Sequence, residues 1–229
     1  MFNPFYINVT DTNLVTASGN FRNVFSFNQM SSIWGAEVIY NNSQSKNLTV
    51  NGFEAFDVYS CLVNTRWNIK QSFTFNANYE NGFKIRKSEY MNKNYNLYQN
   101  TLTGIFSYQY KTNFKLSCSY AYTQKNNKID DNELYIGNKA SIEVHYRIVK
   151  RGNLIFKTDY YYILFRGNTN SSVAYEMLEA LQAGNNLVFH LNFQTTLLEN
   201  LQLNINYEGR ISSGEKMKHL ASVDLRAFF

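Results

Sequence analysis

Strict alternation of apolar and polar side chains, repeated in segment after segment, is the feature that most constrains this chain. In residues 201–210, Leu201, Leu203, Ile205 and Tyr207 fall on one face, and Gln202, Asn204, Asn206, Glu208 and Arg210 on the other. Residues 142–148 set Ile142, Val144, Tyr146 and Ile148 against Glu143, His145 and Arg147. Residues 187–193 set Leu187, Phe189, Leu191 and Phe193 against Val188, His190 and Asn192. A period of two belongs to strands whose faces see different surroundings. The pattern predicts strands at about 21–28, 34–45, 55–69, 71–87, 96–110, 114–125, 139–149, 153–166, 186–196, 200–212 and 219–229, with a weaker segment at 5–17. Most exceed the usual ~5–6 residues of a soluble strand. They meet the ~9–11 residues that a membrane-spanning strand needs.

The connections predict an arrangement as well. Short turns are expected near Ser31-Ser32, Ile69-Lys70, Lys111 to Asn113, Lys150 to Gly152 and Leu198-Glu199. Long polar loops are expected near 45–54, 87–95, 126–138, 167–185 and 213–218. Short turns at one rim and long loops at the other are the habit of outer-membrane barrels. The expected fold is therefore all-β: one antiparallel transmembrane β-barrel of about twelve strands over residues 1–229, with one short helix in a loop. Closure pairs every backbone polar group inside the hydrocarbon.

Composition supports the choice of surroundings. Only 17% of the 229 residues are charged, 17% are aromatic, and 33 are Asn. A solvated sheet face normally carries many Lys and Glu. Here the polar face is mostly Asn, Ser, Thr and Gln, which suits a confined polar lumen. Tyr40, Tyr79, Tyr110, Tyr122 and Tyr207 stand toward strand ends, where an apolar ring with a polar tip fits a membrane boundary. The net charge of +5 comes without a clustered basic run, which argues against nucleic acid as a partner. Cys61 and Cys118 lie far apart and read as small apolar residues. No P-loop, GxGxxG or HExxH occurs, and no metal or cofactor is expected. The acidic run Asp130-Asp131-Asn132-Glu133 lacks the EF-hand spacing and reads as a solvated loop tip.

The chain ends in an alternating strand. Val223, Leu225, Ala227 and Phe229 share one face, and Asp224 and Arg226 the other. This end looks like the C-terminal insertion signal of bacterial outer-membrane proteins, which the outer-membrane assembly machinery recognises. Tyr175-Glu176-Met177-Leu178, then Leu181-Gln182, Gly184 and Asn186, form the one helix-like stretch. Its apolar side is expected from Tyr175, Leu178 and Leu181 or from Met177, Leu178 and Leu181, with Gly184 as the helix stop. Together with Tyr207-Glu208-Gly209-Arg210 and Arg226-Ala227-Phe228-Phe229, it resembles the C-terminal β-barrel region of large outer-membrane proteins of the Bacteroidota kind. The resemblance is close over about 170–229 and looser over 20–165. It implies a barrel in the bacterial outer membrane, in contact with its lipid, and no catalytic residues. Relatives of this kind carry larger N-terminal regions. No signal peptide is visible at Met1 to Phe5, so the chain is expected to be a C-terminal piece of a longer protein or to have a misassigned start.

The expected lumen-facing polar residues are Glu143, His145, Arg147, His190, Asn204, Glu208, Arg210, Asp224 and Arg226. Luminal charges of both signs normally pair with one another, so none is expected to be catalytic. The expected function is a non-catalytic anchor, scaffold or narrow pore. Two alternatives remain open. An outer-membrane barrel enzyme, a lipid esterase, deacylase or protease, would need His145 or His190 beside a serine and a carboxylate. A soluble secreted β-sandwich adhesin would need two apolar sheet faces in contact.

Overall fold

The structure is a computed structural model that describes residues 16–31, 33–49, 52–90, 93–129, 133–148, 152–198 and 200–228. Eleven strands form one antiparallel sheet in sequence order. They are β1 (Thr16–Phe27), β2 (Trp34–Thr49), β3 (Gly52–Lys70), β4 (Phe73–Ser88), β5 (Tyr95–Tyr110) and β6 (Phe114–Asn127). β7 (Leu134–Ile148), β8 (Gly152–Arg166), β9 (Gly184–Leu198), β10 (Leu201–Ser212) and β11 (Lys218–Ala227) follow, and helix α1 (Ser172–Leu178) lies between β8 and β9.

The described residues thus hold eleven strands rather than about twelve. The weaker segment expected at 5–17 contributes only its end, Thr16 and Ala17, to β1; the rest lies outside the described residues. The long loop expected at 45–54 is strand instead. β2 runs to Thr49 and β3 starts at Gly52, so only residues 50 and 51 connect them. Gly52 has φ of 95°, a left-handed value that a tight reversal requires and that glycine accepts without a Cβ clash. β7 also starts earlier than expected, at Leu134, because Tyr135 pairs with Lys125 and packs into the cluster around α1. The short-turn rim holds connections 28–33, 71–72, 111–113, 149–151 and 199–200. The opposite rim holds 50–51, 89–94, 128–133, 167–183 and 213–217. Short and long therefore alternate from β3 onward, and the first two connections reverse the order.

Register makes two unbroken faces. One lateral row runs Ser107, Ser117, Glu143, Lys157, His190 and Glu208, each residue paired with the next across β5 to β10. The adjoining row on the other face runs Phe106, Cys118, Ile142, Thr158, Phe189 and Gly209. Alternation keeps one face mostly polar and most rows of the other apolar.

α1 lies on the polar face. Ser171 caps it, its side chain accepting from the Ala174 amide at 3.0 Å. Such a cap satisfies a first-turn donor that has no partner inside the helix. The helix ends at Leu178, earlier than the expected stop at Gly184, because Glu179 takes the left-handed C-cap and donates its amide to the Tyr175 carbonyl. Gly184 instead opens β9. The buried side of α1 is Val173, Ala174, Met177 and Leu178 while Tyr175 is exposed, so of the two sides the sequence offered, the one with Met177 and Leu178 faces the wall. These four pack on Tyr95, Leu97, Tyr135 and Ile163 of β5, β7 and β8, with Leu181 at the margin.

The same short helix segment also bonds Lys84 of β4, Lys125 of β6 and Arg210 of β10. In a flat sheet with strands ~4.8 Å apart, β4 and β10 would stand roughly 29 Å from each other. A seven-residue helix is only ~10 Å long. The sheet therefore curves around α1, with the polar face on the concave side.

Candidate functional site

The convex face is apolar and mostly exposed; Gln44, Lys46, Ala55 and Asp57, toward the long-loop ends of β2 and β3, are buried. Trp34, Val38, Trp67, Phe75, Leu102, Phe106, Ile142, Phe156, Leu164, Val223 and Leu225 all open outward. Charged side chains on this face within the paired register are Lys46, Asp57, Lys87 and Arg166, all toward the long-loop ends. A patch of this extent far exceeds the few hundred Å² that soluble monomers leave bare.

A tyrosine repeat divides this face. Tyr40, Tyr79, Tyr120, Tyr160 and Tyr207 each stand six positions beyond an outward residue near the start of the strand: Trp34, Phe73, Phe114, Leu154 and Leu201. Four of the five hydroxyls meet a polar side chain on the next strand, two positions nearer its long loop. Tyr79 donates to Asn100 at 3.1 Å, Tyr120 to Asn138 at 2.6 Å and Tyr160 to Asn185 at 2.8 Å, while Tyr207 meets His219 Nδ1 at 2.6 Å. The step is constant because the ladder is antiparallel and the outward positions recur every second residue. Counted from the first outward residue to the level of these acceptors, the face spans about nine residues, the length a tilted strand uses to cross hydrocarbon.

The concave face carries the charges. Register places Glu143, His145 and Arg147 of β7, His190 of β9, Asn204, Glu208 and Arg210 of β10, and Asp224 and Arg226 of β11 on this one face. The structure brings several of them together. The His145 ring pairs with Glu143, Arg210 with Glu208 at 3.2 Å, and His190 lies 3.6 Å from Glu208. Asn192 bonds Asn204 at 3.3 Å and also Asn206. Arg147, Asp224 and Arg226 join no ion pair among the described residues. His145 and His190 each meet a carboxylate, and no serine hydroxyl bonds either among the described residues.

Val223, Leu225 and Ala227 of the expected insertion signal share the outward face of β11, opposite Ile205, Leu203 and Leu201. Phe229 lies outside the described residues, as do Asp130 to Asn132 of the acidic loop. Glu133 of that loop is described: it accepts from the Asn127 amide group at 2.7 Å and from the Ser171 hydroxyl at 3.0 Å, so it ties β6 to the start of α1.

Sequence reasoning missed the ion pairs of α1. Glu176 pairs with Lys84, and Glu179 with Lys125, whose ammonium also donates to the Met177 carbonyl at 3.1 Å. Arg210 donates to the Ala180 carbonyl at 3.3 Å. Below α1, Lys139 and Lys157 both lie 3.5 Å from one oxygen of Asp159, a buried carboxylate. A cavity of about 340 Å³ opens beside the end of the α1 segment, lined by Gln182, Glu208, Arg210, Ser212, Glu215 and Lys218 among others. At the rim, the Lys218 ammonium 2.6 Å from Glu215 holds that carboxyl below its ordinary pKa, helped by a hydrogen bond from Gln182.

No helix among the described residues is long and apolar enough to cross a membrane, which leaves crossing by strands open. No family model matches the chain, and no curated protein matches it in sequence. The solved structures that the chain matches include three with TM-scores below 0.5. The NanC porin is 10% identical, with 93% of this chain and 99% of that one covered and a TM-score of 0.40. The KdgM porin is 9% identical, with 93% and 100% covered and a TM-score of 0.34. LpxR from Salmonella typhimurium is 10% identical, with 92% and 88% covered and a TM-score of 0.36.

Proposed function

We propose that this chain is a transmembrane β-barrel of the bacterial outer membrane, and that it acts as a narrow, non-catalytic pore whose long-loop mouth is partly filled by α1. One observation carries the reading: a single sheet exposes a continuous apolar face around its convex side and turns its polar face inward. A soluble sandwich buries its apolar faces against each other; the described residues offer no second sheet for that.

With eleven strands, β1 and β11 run in the same direction, and each has one neighbour among the described residues. An antiparallel closure takes one further strand, which gives the even number usual in bacterial barrels. About twelve strands enclose a lumen between the filled interior of eight and the open channel of sixteen. The outward Val223, Leu225 and Ala227 fit a last strand offered to the assembly machinery. The resemblance to Bacteroidota outer-membrane proteins belongs to the same proposal.

Refolding into detergent, followed by gel electrophoresis with and without boiling, tests it. A closed barrel gives a heat-dependent mobility shift and stays insoluble in plain buffer. A soluble monomer without a shift overturns the reading.

A further inference from the structure

We infer that the long-loop mouth holds an anion-binding cluster of cations whose charge α1 masks, and that Glu176 of α1 and Glu179 at its C-cap stand where the carboxylates of a solute would bind. The inference rests on the barrel reading above and adds the class of solute. Four strands bring a cation to nearly one level. Lys84 stands eleven positions beyond Phe73, Lys125 eleven beyond Phe114, Arg210 nine beyond Leu201, and Lys139 nine before Ile148. All four lie on the concave face.

Their negative partners come from few places. Lys84 and Lys125 each take a carboxylate of α1, and Arg210 takes the Ala180 carbonyl as well as Glu208. Lys139 shares Asp159 with Lys157, so that pair of ammoniums has one carboxylate between them. The Lys125 side chain is 6% exposed. An ammonium so far withdrawn from water is costly without a counter-charge. Without α1's carboxylates, these cations would draw anions from solution.

The apolar side of α1 is bound to the wall independently of these pairs, through Val173, Ala174, Met177 and Leu178. The acidic side is thereby held among the cations as a tethered counter-ion. Neutralising it leaves the helix in place and the cations unmatched. A carboxylate-bearing solute can then take over the hydrogen bonds that α1 makes, since Lys ammoniums recognise any compact anion.

The test uses the full chain, refolded in detergent, checked for the heat-dependent shift and inserted in planar bilayers under a KCl gradient. Expected for the Glu176→Gln/Glu179→Gln variant is a reversal potential moved toward that of chloride, with the chloride-to-potassium permeability ratio up about fivefold, as two unit charges lost at short range predict. Citrate, added on both sides, blocks the variant's current at lower concentration than the unmodified chain's. Lys84→Gln and Lys125→Gln in the same background return the ratio to its starting value. Glu176→Gln alone, at a pair that is partly exposed, gives a smaller shift of the same sign and serves should the double variant not refold. A refolded variant whose reversal potential stays put or moves toward potassium, or that carries no current at all, overturns the inference while the barrel stands. Absence of the mobility shift in the unmodified chain removes the barrel reading itself, and the inference with it.

Discussion

Leu203 and Asn204 are neighbours in β10, yet they belong to different regions of the molecule. Leu203 faces outward beside Thr195 and Leu225, in a field of apolar side chains. Asn204 faces inward beside Gln194 and Asp224, and accepts from Asn192 at 3.3 Å. The outward region needs only apolar character of roughly the right size, repeated every second residue. The inward region depends on which partner each polar group meets across strands and on α1. One face tolerates change in detail and the other tolerates change in polarity.

The sharpest way to break this contrast is a charge on each face. Leu203→Arg is expected to cost about 2–4 kcal/mol, the price of a cation in the apolar belt near mid-strand. Asn204→Arg is expected to cost far less, since the inward face already holds Arg210 and Arg226 on the same and the adjoining strand. Denaturant unfolding in lipid vesicles measures both. Equal costs would dissolve the distinction between the faces.

Next in size is the docking of α1, where the concave face has an apolar core. Met177 is fully buried there. Met177→Ala is expected to weaken docking by about 2 kcal/mol, the low end for a buried large-to-small change, because the site lies at a rim that water can reach. Proteolysis within 167–183 should speed up while the strands keep their protection. Uniform loss of protection would mean that α1 supports the whole sheet rather than resting on it.

The same contrast explains what the sequence made legible. A period of two is local, so the strands and their faces were readable for β2 to β10 to within a few residues. Glu143, His145, Arg147, His190 and Glu208 could be set on one face by counting alone. Strand ends were less readable at the long-loop side. β7 reaches back to Leu134 because Tyr135 packs on a helix thirty-odd residues later in the chain, which no local pattern contains. The sequence left the buried side of α1 open between two choices for a related reason. Over two turns, Tyr175 and Met177 are equally good apolar candidates, and the wall formed by Tyr95, Leu97 and Ile163 chooses Met177. The ion pairs of Glu176 and Glu179 had one sequence signal: two acids on the only helix-like loop, against inward lysines at matching heights in β4 and β6.

A smaller effect tests the tyrosine repeat. Tyr160→Phe removes a hydroxyl bonded to Asn185 at 2.8 Å and should cost about 1 kcal/mol, an ordinary net hydrogen bond. Pairing it with Asn185→Ala in a double-mutant cycle isolates the bond from the rings around it. A coupling near zero would make the repeat a packing pattern alone.

The smallest effect concerns the rim, where Glu215 bonds Lys218 across its own loop and Gln182 from the segment after α1. Its carboxyl is held below its ordinary value of 4.5, first by the hydrogen bond and charge of Lys218. A depressed carboxyl pKa means that the folded state prefers the ionised form, so the contribution is complete above 4.5 and fades as pH falls below it. The group sits at the solvent-washed rim and is screened by solvent, so the readout must be local. Hydrogen exchange at residues 181–183 and 213–217, corrected for intrinsic rates, should show lower protection as pH drops through that window. Glu215→Gln should make protection there independent of pH. A pH dependence that survives the substitution would assign the rim's acid sensitivity to a group other than Glu215.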